Sequence, residues 1–137
     1  MVRTTYCRLV GVPVVILLAA LTMVVPVMAN SEADRYLQEC HVGNWPAERF
    51  ESEKWNLTPK EQRYKFVKKF IESQDPIGKD KKYIINNLGK PDGDYRNYIS
   101  YIVKNFDPEE CIHGFIALLH FDIDAEGVVE KAFIRLD

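Results

Sequence analysis

The sequence predicts an α+β fold, in which two helices pack on a three-stranded antiparallel meander. Apolar residues recur at helical spacing over residues 58–88, and at a spacing of two over residues 95–136. The period changes once, at a turn around Asp92 and Gly93. Helices and strands segregated in this way are typical of a two-layer domain, and the 137-residue chain has room for one.

Residues 1–29 have the pattern of a secretion signal. Arg3 and Arg8 are the only charged residues before Glu32, and an apolar run over 9–27 ends near the small residue Ala29. Cleavage after Ala29 is the first interpretation. A retained membrane anchor is the alternative, because 19 helical residues span about 28 Å, close to the hydrocarbon thickness of about 30 Å. Both place the domain outside the cytoplasm: periplasmic or secreted, or anchored in the inner membrane.

The charge of the predicted mature chain disfavours nucleic acid as a partner. Loss of Arg3 and Arg8 lowers the 18 basic residues to 16 against 20 acidic ones, a formal charge of −4. Phosphate binding requires a basic surface. A membrane partner is expected only if the N-terminal segment is retained as an anchor.

Cys40 and Cys111 are predicted to form a disulfide, since an even number of cysteines in an exported chain indicates one. The alternative is a metal site that adds His41 and His113 to the two sulfurs. Adjacent Cys40 and His41 cannot easily turn toward one ion, and metal motifs usually separate such ligands by two or more residues. No metal and no cofactor are therefore predicted.

Residues 30–57 are predicted to be an irregular N-terminal segment, preceding a helix-helix-strand-strand-strand domain over 58–137. A brief helix before Cys40 fits the spacing of Tyr36 and Leu37. No clear period follows. The aromatic residues Trp45, Phe50 and Trp55 are interpreted as core anchors rather than a ligand site, because each buries a large apolar area.

The first helix of that domain is predicted to run from Thr58 to about Ser73. Thr58 is expected as its N-cap, Pro59 as the first helical residue and Glu61 as the acid that completes a capping box. One apolar stripe follows, and Asp75-Pro76 ends the helix. The stripe contains Tyr64, Phe66, Val67, Phe70 and Ile71.

The second helix is predicted over Lys79 to Leu88, with Gly89 and Pro91 ending it. Three strands follow, at Tyr95 to Val103, Gly114 to Ile123 and Val128 to Leu136. The core face of the middle strand is expected to carry Phe115, Ala117, Leu119, Phe121 and Ile123. That of the last is expected to carry Val128, Ala132, Ile134 and Leu136.

The other face of the sheet is the candidate binding site. Alternation places a mixed apolar and basic set of residues there, and an apolar patch rimmed by charge often marks a partner site. Its predicted members are Ile116, Leu118, His120, Val129, Lys131, Phe133 and Arg135. The alternative is that the segment from Trp45 to Trp55 folds over this face. His120, beside Asp122, is interpreted first as a structural histidine.

No catalytic motif is recognisable in the sequence. A nucleophile needs a base, and the candidates His41, His113 and His120 lie in no known nucleophile turn. Phosphate-binding glycine loops and metalloprotease motifs are also missing from the sequence. A catalytic role is therefore not predicted.

Residues 63–136 resemble the SmpA/OmlA (BamE-like) family of bacterial envelope proteins. The resemblance rests on Ile77-Gly78-Lys79-Asp80, on Leu88-Gly89-Lys90-Pro91-Asp92, and on Leu119-His120-Phe121-Asp122 with Gly127-Val128-Val129. It implies two helices and three strands used for protein contacts. Secreted inhibitors of β-lactamase use the same fold type. The chain departs from the lipoprotein members because no cysteine follows its apolar run.

The sequence therefore predicts an exported, non-catalytic protein-binding module of the bacterial cell envelope that contacts its partner through the open sheet face. A secreted or periplasmic enzyme inhibitor is the alternative. A small metal- or histidine-dependent enzyme that uses His113 or His120 is the third hypothesis.

Overall fold

The computed structural model describes residues 32–111 and 114–137. The predicted signal or anchor over 1–29 and the candidate base His113 lie outside these residues. No helix within the described part of the chain is both long and apolar enough to cross a membrane.

The described residues form an α+β fold, as predicted, with more elements than expected. Four α-helices precede a sheet of four strands, and two single-turn 3₁₀ segments, Val42–Asn44 and Lys60–Gln62, lie between helices. The helices are α1 (Glu32–Glu39), α2 (Ser52–Leu57), α3 (Tyr64–Gln74) and α4 (Lys81–Leu88). The strands are β1 (Gly93–Asp94), β2 (Tyr98–Asn105), β3 (Ile116–Ile123) and β4 (Val129–Leu136).

The sheet is an antiparallel meander in the order β1-β2-β3-β4. Three of its strands are the predicted ones, with ends that coincide or are shifted by up to three residues. The additional strand, β1, occupies part of the predicted turn and pairs Gly93 with Ser100. Two residues are too short to give an alternation signal, which is why the sequence indicated only a turn there.

The hydrophobic core lies between the helices and one face of the sheet. Ala117, Leu119 and Phe121 of β3 are fully buried, and the ring of Phe121 meets that of Phe70 at 6.1 Å. The predicted stripe of α3 and the predicted core face of β3 are confirmed by these contacts.

The segment 30–57 is not irregular throughout, because α1 and α2 lie within it. Trp55 is fully buried, and its indole N–H donates to the carbonyl of Leu88 at 3.0 Å. Phe50 packs on Phe70 at 4.8 Å, and Trp45 on Tyr64 at 5.3 Å. The three aromatic residues thus pack into or beside the core, as predicted, and not over the opposite face of the sheet.

The predicted helix start at Thr58 is wrong. The Thr58 hydroxyl donates backward to the carbonyl of Lys54 at 2.7 Å, so this residue closes the end of α2. A single 3₁₀ turn follows Pro59, and α3 begins only at Tyr64. A threonine can satisfy either end of a helix, and the six-residue α2 is too short to be detected by its period.

The second predicted helix is confirmed as α4, with a firm cap at each end. The Asp80 carboxylate accepts a hydrogen bond from the backbone N–H of Tyr83 at 2.7 Å. Gly89 follows the helix with φ +78°, a backbone conformation that favours glycine. Asp75 ends α3, directly before Pro76, as predicted.

Cys40 and Cys111 are both buried, with sulfur atoms at disulfide distance and Cα atoms 5.0 Å apart. Their sequence separation is 71 residues. The pair joins the residue after α1 to the loop between β2 and β3. It thereby ties the N-terminal part of the described chain to the sheet.

A β-bulge near the start of β4 changes the predicted strand faces. Asp122 pairs with Lys131, but the next residue, Ile123, pairs with Val129, which leaves Glu130 as the extra residue. Val129 consequently points into the core and is 1% exposed. Its predicted place on the open face is wrong, because strict alternation takes no account of the inserted residue.

Candidate partner-binding face

The face of the sheet opposite the helices carries the candidate site, and we call it the open face. The strand register brings together alternate residues of β2, β3 and β4 on this side. Its members are Tyr98, Ser100, Ile102, Ile116, Leu118, His120, Asp122, Lys131, Phe133 and Arg135.

An aromatic row crosses the open face, formed by Tyr95, Tyr98, His120 and Phe133. The rings of Tyr95 and Tyr98 are stacked at 4.5 Å, because a tight turn bonds the backbone N–H of Tyr95 to the carbonyl of Tyr98. Tyr98 stacks on the His120 imidazole at 4.8 Å, and His120 meets the Phe133 ring at 5.0 Å. The row is exposed at both ends, where Tyr95 is 55% and Phe133 39% exposed.

His120 is the buried centre of the aromatic row. Its side chain is only 5% exposed, and its Nε2 lies 3.2 Å from Oδ1 of Asp122. The other ring nitrogen, Nδ1, is buried with no hydrogen-bond partner. An unsatisfied buried polar atom costs about 1–3 kcal/mol, so the burial of this nitrogen lowers the free energy of unfolding.

Charged groups border the aromatic row on one side. The Arg135 guanidinium donates to the Asp137 carboxylate at 2.6 Å, while Lys131 lies exposed further along β4. Desolvation and the neighbouring Tyr95 raise the pKa of Tyr98, so its phenol stays neutral at physiological pH. The open face therefore combines aromatic rings with a border of mixed charge, which contains Arg135 and Lys131 as well as Asp122 and Asp137.

A shallow cavity of about 240 Å³ opens on the same face. It is lined by Tyr95, Tyr98, Ser100, Leu118 and His120, together with charged residues at its rim. It is large enough for one side chain of a partner and too small to enclose a typical cofactor, which needs at least about 300 Å³.

Ser100, His120 and Asp122 are the residue types of a nucleophile, a base and an orienting acid. Ser100 lies directly across from His120 on the neighbouring strand. Nucleophile activation requires a hydrogen bond from the hydroxyl to the imidazole. Because Nδ1 of His120 has no partner and Nε2 is bonded to Asp122, this contact is not made. Asp122 therefore orients the imidazole, and no hydrogen bond joins it to Ser100 in the described structure.

The predicted site residues are largely brought together. Ile116 is 41% exposed, Leu118 is half-buried, and Lys131, Phe133 and Arg135 are exposed on β4. His120 lies on the predicted face but is buried beneath its aromatic neighbours rather than half-exposed. Val129 is the one predicted member on the opposite face.

Sequence reasoning missed Tyr95, Tyr98, Ser100 and Ile102. The signal was present for the three residues of β2, since Ile99, Tyr101 and Val103 are fully buried and alternate with them. Because apolar or aromatic residues occupy both faces of this strand and Ser100 is the one polar residue between Tyr98 and Val103, the sequence alone did not reveal which set faces the core. Tyr95 lies in a turn and could be placed only through its stacking on Tyr98.

Among the described residues, no group of three or more His, Cys, Asp or Glu side chains could hold a metal ion. No protein family, curated protein or solved structure matches the chain. The resemblance to the SmpA/OmlA family therefore stays a prediction based on short motifs.

Proposed function

We propose that the protein is an exported, non-catalytic binding module of the bacterial cell envelope that contacts a protein partner through its open face. The observation that carries this proposal is the aromatic row, which crosses three strands and is not covered by the helices. Aromatic residues and arginine are enriched in the buried centres of protein interfaces.

The exposure of the open face supports a docking role. Five large hydrophobic residues are exposed in the described part of the chain, and three of them are Tyr95, Ile116 and Phe133. They belong to one side of the sheet, with Arg135 between them and Lys131 at the border. An apolar surface rimmed by charges of both signs fits a partner with an apolar centre and a polar rim.

Export is supported by the cysteine pair and by the N-terminal pattern. Disulfides persist in oxidising compartments such as the periplasm, and Cys40 and Cys111 lie at bonding distance. The charged and then apolar sequence of residues 1–29 fits the same location.

A paired-variant experiment tests the proposal. Phe133→Asp places a charge at the exposed β4 end of the aromatic row, while Leu57→Asp changes a residue of α2 that is 79% exposed and lies on the helical side. Both variants are expected to fold, because both positions are accessible to water. Proteins that co-purify with the tagged wild-type chain from envelope extracts are compared with those recovered by each variant.

We expect the wild type and Leu57→Asp to recover the same partner. Phe133→Asp should recover about tenfold less of it, as for a residue that contributes strongly to an interface. Circular dichroism confirms that both variants are folded. Equal recovery of the partner by Phe133→Asp would show that the open face does not contact it.

A further inference from the structure

The outer edge of β4 is unpaired from Ala132 onward in the described part of the chain. β4 is the last strand of the sheet. Its first residue, Val129, exchanges backbone hydrogen bonds with Gly78 and Lys79, and the rest of the strand pairs with β3. Asp137 exchanges both backbone hydrogen bonds with Ile116, at 2.9 and 3.0 Å, so the odd-numbered residues of β4 face β3. The backbone groups of Ala132, Ile134 and Leu136 therefore point outward. Such an edge is a template for another strand.

A slot lies beside this edge, between β4 and α1. It has a volume of about 600 Å³ and is lined mainly by apolar side chains. Tyr36 and Leu37 of α1 form one wall, and Ile134 and Leu136 of β4 form the other. The acidic residues Glu32 and Asp34 also line it. The slot suits an extended segment with apolar side chains on the face toward α1, a description that Ala132, Ile134 and Leu136 of β4 meet.

The sequence of β4 is complementary to itself in one antiparallel register. In an antiparallel pair of two copies, the residues whose backbone groups point outward must lie opposite one another. The residues between them then also lie opposite one another. When Ile134 lies on the two-fold axis, Lys131 lies opposite Asp137 of the second copy, and Phe133 lies opposite its Arg135. Opposite charges and a cation over an aromatic ring both stabilise such cross-strand pairs. Ala132 then meets the apolar Leu136 on the other face of the strand.

The neighbouring symmetric registers are less favourable. An axis at Phe133 places Lys131 opposite Arg135, and an axis at Arg135 places two guanidinium groups together. An axis at Ala132 places Glu130 opposite the apolar Ile134. Like charges directly opposite destabilise a strand pair, so the register centred on Ile134 is selected.

We propose that two copies of the chain associate through antiparallel pairing of their β4 strands, with a two-fold axis at Ile134. Each copy contributes four strands, so the dimer has one continuous sheet of eight. The two open faces lie on the same side of that sheet, and the two aromatic rows approach each other across the axis. The pairing is argued from the register and sequence of β4 and not from the identity of a partner, although Lys131, Phe133 and Arg135 belong to both surfaces.

Sedimentation equilibrium of the purified full chain over a concentration series tests this inference. We expect a reversible equilibrium between the monomer and a species of twice its mass. Lys131→Asp and Asp137→Lys should each weaken the dimer by about tenfold, because each replaces two attractive pairs with two repulsive ones. The double variant Lys131→Asp/Asp137→Lys should dimerise more tightly than either single variant, because opposite charges again face each other across the interface.

The matched control is Lys82→Asp, which makes the same charge change at an exposed position on α4 and should leave the dimer unchanged. The inference is overturned if the wild type stays monomeric up to millimolar concentration. It is also overturned if the double variant dimerises no better than the single ones, since rescue is specific to the register centred on Ile134.

Discussion

At the scale of single residues, His120 is the buried side chain that most clearly lowers the stability of the fold. Its imidazole is stacked between Tyr98 and Phe133 and bonded to Asp122, yet Nδ1 has no partner. An apolar ring would fill the same position without that cost. A buried polar group that lowers stability is typical of a functional surface, where local rules are broken for another purpose.

The substitution His120→Phe is therefore expected to increase the free energy of unfolding by about 1 kcal/mol, because it removes an unsatisfied buried nitrogen at the loss of one hydrogen bond. Urea denaturation of the wild type and the variant measures the difference. A loss of stability of similar size would show that Nδ1 is satisfied in solution.

Tyr101 gives a second prediction at this scale. Burial raises the pKa of its phenol, with Asp92 and Asp94 adding to the shift. The unfolded chain releases this proton at lower pH than the folded chain, so ionisation favours unfolding. The stabilisation is complete below about pH 10 and is lost as the pH rises further.

Denaturant unfolding followed from neutral to alkaline pH should show this decrease in stability. Tyr101→Phe should flatten the decrease and cost about 1 kcal/mol at neutral pH, because its hydroxyl donates to the carbonyl of Gly89 at 2.9 Å. An unchanged alkaline slope in the variant would assign the effect to other groups.

At the scale of elements, the sequence predicted the longer helices and strands, whose apolar residues recur at a regular spacing. The buried stripe of α3, the capped α4 and the core face of β3 follow from spacing and turn residues alone. The errors have local physical causes: α2 and β1 are too short to show a period, and the bulge at Glu130 reverses the face of Val129. Three of the ten residues named on the open face depended on the register of β2, which pairing across the sheet determines.

The start of α4 provides a test of element stability. Asp80→Ala should lower the free energy of unfolding by about 1 kcal/mol, since it removes the acceptor for the backbone N–H of Tyr83. Asp80→Asn keeps an acceptor and should cost less. Thermal unfolding of the three proteins gives the comparison. Equal losses for both variants would show that the charge matters and the cap does not.

At the scale of the whole molecule, one core joins every part of the described chain. A chain of ring contacts runs through it: Trp55 meets Phe50, Phe50 meets Phe70 of α3, and Phe70 meets Phe121 of β3. The cysteine pair closes this arrangement. The helices and the N-terminal part thus cover one face of the sheet and leave the other to solvent.

Removal of the disulfide should affect the entire domain. Cys40→Ala/Cys111→Ala is expected to lower the free energy of unfolding by about 4 kcal/mol, because the closed loop of roughly 70 residues restricts the unfolded chain. Urea denaturation with and without reductant measures it, and the variant should not respond to reductant. A wild type insensitive to reductant would contradict a stabilising disulfide.

The central claim is that the open face contacts a protein partner, and site-specific photo-crosslinking tests it most directly. A photoreactive phenylalanine analogue is placed at position 133 in the aromatic row, and at position 57 on the helical side, in chains produced in the native envelope. We expect position 133 to give an adduct with a different protein, in addition to the adduct between two copies that the β4 dimer allows, and position 57 to give none. Adducts from position 57 alone, an adduct between copies alone, or no adduct from either position would contradict a partner site on the open face.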